Sequence, residues 1–136
     1  MTATILYEGN LRCNARHLQS GTSIETDAPT DNKGKGERFS PTDLVCTALA
    51  TCIITTIAIK TESMGIELKG TIINVKKYML NEPRMIGGID VDVTFPASLI
   101  LEEKDKAIIK RVGDNCPVTK SLHPDVKLNI QYNFAK

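Results

Sequence analysis

Residues 44–59 carry so much apolar surface that, wound as a helix, they leave hardly any side for water. Leu44, Val45, Ala48, Leu49, Cys52, Ile53, Ile57 and Ala58 cover far more than one stripe of a 3.6-residue period. A helix of that kind is buried on several sides, so it is expected at the centre of the fold, wrapped by sheet or by a partner subunit. Its start is marked by Ser40-Pro41-Thr42-Asp43. Ser40 serves as the cap, Pro41 suits the first helical position, and Asp43 completes a capping box. The pattern runs to about Ser63. Thr47, Thr51, Thr55 and Thr56 interrupt it, and the run reads as too short and too polar to span a membrane.

Strand signals flank this helix. Leu11–His17 alternates apolar and polar residues, Gln19-Ser20-Gly21 supplies a turn, and Thr22–Asp27 follows as a second strand. Residues 28–37, with Pro29, Asp31, Asn32, Gly34 and Gly36, form a polar loop. Beyond the helix, Thr71–Leu80 and Ile89–Phe95 predict a hairpin whose turn region holds Asn81, Pro83, Gly87 and Gly88. Lys76 and Lys77 are placed to face Asp90 and Asp92 across it. Leu101–Val112 predicts an amphipathic helix with Ile108, Ile109 and Val112 on its apolar side. Val126–Phe134 closes the chain in strict alternation, which implies antiparallel pairing with one wet face. The fold class is α+β, in one domain spanning residues 1–136, a length that suits a single core.

Composition excludes several function classes. A net charge of +1 gives no electrostatic case for nucleic acid, and Lys33–Arg38 reads as a solvated loop. Met1–Tyr7 lacks a basic region, a long apolar stretch and a cleavage site, so no signal peptide is expected and the protein is assigned to the cytoplasm. Four cysteines in that compartment stay reduced and do not build a disulfide framework. No C-x-x-C is present, and His17 and His123 have no ligand at metal-binding spacing, so neither a metal nor a cofactor is expected. A glycine-rich phosphate loop and a nucleophile elbow are missing as well.

The chemistry therefore rests on two thiols. Cys116 precedes Pro117, so it occupies the cap of a helix, where unpaired N–H groups and the helix dipole favour a thiolate. Cys52 lies in mid-helix, without that field, and needs a donor brought in from elsewhere. Cys13 and Cys46 read as packing.

These features together resemble the OsmC/Ohr family of thiol-dependent hydroperoxide reductases. The resemblance runs over essentially the whole chain and is carried by Phe39-Ser40-Pro41-Thr42-Asp43-Leu44, Ala48-Leu49-Ala50-Thr51-Cys52 and Asn115-Cys116-Pro117-Val118. It implies an intertwined homodimer, with antiparallel sheets wrapped around long central helices and active sites at the subunit interface. It implies that Cys52 attacks an organic or small hydroperoxide and becomes a sulfenate, that Cys116 resolves it, and that a dithiol, such as a lipoyl group, reduces the disulfide. In the family's better-studied peroxidases a Glu follows the proline and pairs with an N-terminal Arg. Here Thr42 holds that place and Asp43 comes next, about 100° further round the helix. Arg38, beside the helix start, is taken as the activating cation over Arg12 and Arg16, which the alternation puts on the wet face. The alternative reading is a non-catalytic or slow redox-sensing dimer that binds a small apolar ligand between subunits.

Overall fold

The structure is a computed structural model and describes residues 1–135. It divides into two compact units, Met1–Val45 and Cys46–Lys136.

The first unit is an antiparallel sheet of β1 (Ala3–Gly9), β2 (Arg12–His17) and β3 (Ser23–Asp27), in that order, followed by a 3-10 turn at Thr30–Asn32 and the start of α1 (Pro41–Glu62). The β1–β2 turn, Asn10-Leu11, has positive φ at both residues, as a two-residue hairpin requires. Its buried side chains are polar, Asp27 and Ser40, whereas Ile5, Leu6 and Tyr7 on β1 are exposed on both faces of the strand. Cys13, expected as core filler, is half-buried and stands outside the hydrophobic core. Arg12, expected on a wet face, is held inward by the buried Asp27 carboxylate. Among the described residues of this unit the buried side chains are polar, and the Asp27 carboxylate is balanced there by Arg12.

The second unit carries the core. β4 (Ile72–Asn81) and β5 (Arg84–Thr94) are antiparallel, and β6 (Lys127–Asn133) pairs with β5 in parallel, so the all-antiparallel expectation is corrected. Alternation reports only that one sheet face is wet. Strand direction is set by the connection, and the one from β5 to β6 contains α2 (Glu103–Asp114) and α3 (Pro117–Ser121), the kind of helical crossover that parallel pairing needs. Ile89, Val91 and Val93 alternate onto one face, where they are buried with Leu49, Ile53 and Ile57 of α1 and Ile109 of α2. Each such side chain contributes roughly 1.5–3 kcal/mol on burial. On α2, Val112 joins this core and Ile108 does not.

Gly87 and Gly88 belong to β5 and not to the turn, which is the cis-linked Glu82-Pro83. The register shifts between Tyr78 and Met79, so Gly87 is the extra residue of a bulge, where a Cβ would sit 2.7 Å from Leu80 Cγ. Lys76 does pair with Asp90; Lys77 pairs with Ile89.

At 22 residues, α1 is long and apolar enough to cross a membrane by length and composition, against the sequence expectation. Its threonines interrupt less than their polarity suggests. The Thr51 hydroxyl donates to the Thr47 carbonyl at 3.0 Å, and Thr55 to the Thr51 carbonyl at 2.9 Å, which conceals the hydroxyl against the helix itself. The buried face of α1 meets protein: Leu49, Ile53 and Ile57 are all fully enclosed in the core of the second unit.

Candidate active site

Cys116 stands at the N-cap of α3, with extended backbone and Pro117 as the first helical residue, as its sequence position predicts. Its sulfur accepts the Thr119 N–H at 3.5 Å and lies 3.2 Å from the Thr119 hydroxyl. The residue is fully buried. Cys52 is half-buried on α1, its sulfur 3.7 Å from the Thr56 hydroxyl one turn on.

The two thiols meet. Burial works to raise the Cys52 pKa, but the nearby main-chain N–H of Val118, the Thr56 hydroxyl and the Cys116 thiol bring the net shift below the ordinary thiol value. Val118 and Thr119 are consecutive, so the first turn of α3 stands by both sulfurs: the Thr119 N–H donates to Cys116, and the Val118 N–H acts on Cys52. The field that the sequence places at Cys116 thus reaches Cys52 as well, through Val118. All four cysteines are free thiols.

Tyr132 stands near Cys116. Its hydroxyl donates to Asp114 Oδ1 at 2.9 Å, and its phenol is pushed well above the ordinary range by burial, by that carboxylate and by the neighbouring Cys116. Gly113 makes room for it, since a Cβ there would lie 2.2 Å from the hydroxyl oxygen. A recess lined by Asp114, Thr119, Leu128, Asn129 and Ile130 opens beside Thr119.

Arg38 and Asp43 belong to the first unit. The Arg38 guanidinium donates to Glu25 Oε1 at 3.2 Å and to the Glu37 carbonyl at 3.1 Å, and is exposed. Asp43 Oδ2 accepts the Ser40 N–H at 2.9 Å while its own N–H donates to Ser40 Oγ at 3.0 Å, the reciprocal capping box. In the same unit Arg12 binds Asp27 through two nitrogens, at 2.7 and 2.8 Å, and reaches Glu37 at 3.1 Å. The Arg12 bonds hold the Asp27 carboxyl below the usual range against the opposing effect of burial. Thr56, Val118, Thr119 and Tyr132 were not singled out from sequence. Only the inward register of Leu128, Ile130 and Tyr132 on β6 offered a signal. Among the described residues no group of three or more His, Cys, Asp or Glu is arranged to hold a metal ion.

No curated protein sequence matches the chain. Among solved structures, a protein of Psychrobacter arcticus 273-4, provisionally named an osmotic stress induced and detoxification response protein, is 43% identical, with a TM-score of 0.93 over 98% of this chain and 96% of that one. An OsmC-like protein of Mycoplasma pneumoniae shares the fold at 18% identity, with a TM-score of 0.78 over 98% and 96% of the two chains. An organic hydroperoxide resistance protein OsmC of Legionella pneumophila does so at 13% identity, with a TM-score of 0.75 over 98% and 97%. The family model for OsmC-like proteins matches residues 34–131, a span that contains both Cys52 and Cys116. With that match over most of its length, the chain belongs to the OsmC-like family.

Proposed function

We propose that the protein is a thiol-dependent peroxidase that reduces organic or small hydroperoxides. The Cys52 thiolate attacks the terminal oxygen of the O–O bond, the alkoxide leaves and takes a proton, and Cys52 becomes a sulfenic acid. The Cys116 thiol then gives up its proton, its sulfur displaces hydroxide, and water and a Cys52–Cys116 disulfide result. An external dithiol of the lipoyl kind returns both thiols to the reduced state by exchange.

One observation carries this reading: the Val118 N–H and the Cys116 thiol stand close enough to the Cys52 sulfur to draw its pKa down, so attacking and resolving sulfurs are neighbours. The name of the Legionella pneumophila structure, an organic hydroperoxide resistance protein, agrees with it. The reading takes residues 1–136 as one OsmC-like domain in a homodimer. Support for the dimer lies in Ile5, Leu6 and Tyr7, three consecutive apolar residues of β1 that the single chain leaves about 60% exposed or more.

The test treats reduced protein with stoichiometric cumene hydroperoxide and follows intact mass and free thiols. Loss of two thiols per chain is expected, with Cys116→Ser stopping at an oxidised Cys52 and Cys52→Ser not reacting. Peroxide consumption that survives Cys52→Ser sinks the proposal. A protein inert to peroxide returns the thiols to packing and favours the ligand-binding reading.

A further inference from the structure

The Cys52 sulfur is served by neutral donors, and one of them has no other evident reason to point where it does. Along α1, exposed Thr51 and Thr55 turn their hydroxyls to main-chain carbonyls three and four residues back. Thr56 is half-buried, and its hydroxyl meets the Cys52 sulfur at 3.7 Å. Helical side chains lean toward the N-terminus, so residue 56 lies directly over residue 52. A β-branched side chain has few χ1 choices in a helix, so the hydroxyl is held near the sulfur at little entropic cost.

We propose that Thr56 is a positioning residue for Cys52: its hydroxyl, one turn further along α1, hydrogen-bonds the sulfur and fixes its direction. This rests on the thiol chemistry proposed above and names what supports it within the second unit. The Thr56 hydroxyl comes from the next turn of α1, and the Val118 N–H at the start of α3 acts on the same sulfur. Loss of one donor to an anion raises a thiol pKa by roughly one unit, close to tenfold in thiolate at a pH below it.

The experiment measures the pH dependence of iodoacetamide alkylation of Cys52 in fully reduced protein, read on the Cys52 peptide by mass spectrometry. Thr56→Val keeps shape and removes the hydroxyl. Its midpoint is expected to rise by roughly one pH unit, with Thr56→Ser restoring the native value and Thr55→Val leaving it in place. An unchanged midpoint in a Thr56→Val protein of native melting temperature overturns the proposal. So does an equal shift in Thr55→Val, which would trace the effect to the helix and not to the hydroxyl. Cumene hydroperoxide consumption is measured in parallel. A shifted alkylation profile in a protein inert to peroxide would sink the peroxidase reading and leave the role of Thr56 standing.

Discussion

Gly113→Ala pits helix propensity against packing, and the structure decides the sign. Gly113 is buried one residue before the end of α2. By propensity alone, alanine stabilises a helix interior by about 1 kcal/mol. Here the new Cβ would stand 2.2 Å from the Tyr132 hydroxyl oxygen, 2.9 Å from Cζ and 3.0 Å from Ile57 Cδ1. Tyr132 cannot keep its place, so its 2.9 Å bond to Asp114 breaks. Overpacking costs about 1–3 kcal/mol. The lost bond to a carboxylate adds about 1.5 kcal/mol, the low end of its range because the exposed Asp114 regains water. After the propensity gain, the net is a destabilisation of about 1.5–3.5 kcal/mol. Urea denaturation at one fixed protein concentration measures it. The Tyr132→Phe background removes the nearest clashing atom and the bond to Asp114 together, so Gly113→Ala should cost at least about 1.5 kcal/mol less there, a coupling that a double-mutant cycle isolates. A neutral or stabilising Gly113→Ala would refute the reasoning, because propensity alone would then account for the residue.

Three further outcomes are expected. Asp43→Asn weakens the capping box and lowers stability by about 1 kcal/mol in thermal melts while leaving Cys52 alkylation unchanged; a large fall in thiol reactivity would mean that Asp43 acts on the thiol instead. The Asp27 carboxyl is held below its ordinary value by Arg12, so the stability it lends is full above the unfolded carboxylate range and lost as pH falls through its depressed folded value. Arg12→Gln should therefore move acid unfolding, followed by circular dichroism, to higher pH, and an unmoved midpoint would count against the pair. Gly34→Ala places a Cβ 1.6 Å from the Ala28 carbonyl oxygen, a main-chain atom with no rotamer to escape into. It should be far more damaging to the melting temperature than Gly87→Ala, whose clash falls on the half-exposed Leu80 side chain.

Local chemistry was legible in the sequence; chemistry between distant segments was not. Ser40 and Asp43 reveal a cap because both partners lie within one turn, and Pro117 marks Cys116 as a cap for the same reason. The direction of β6 was hidden because alternation is blind to it, and Gly87 and Gly88 mimic a turn while serving a bulge. The donors to Cys52 escaped notice because Val118 is 66 residues away and only the crossover brings it back. Arg12 was misplaced for a like reason: its partners Asp27 and Glu37 come from two other segments, and a buried carboxylate turns an arginine inward whatever the period of its strand.

The parallel pairing of β6 also sets an order of events. The β4–β5 hairpin closes over a short turn and needs nothing further along the chain. Until β6 docks, β5 is an open edge with Ile89, Val91 and Val93 along it, a surface prone to pairing with other chains. Docking brings Tyr132 onto Asp114 and Phe134 against Phe95, with ring centroids 4.7 Å apart, and so ties β6 to the start of the crossover and to the end of α2. The Cys116 segment lies inside that crossover. One of the two thiols is thus carried on a stretch of chain whose far end is tied down by the pairing of β6 with β5.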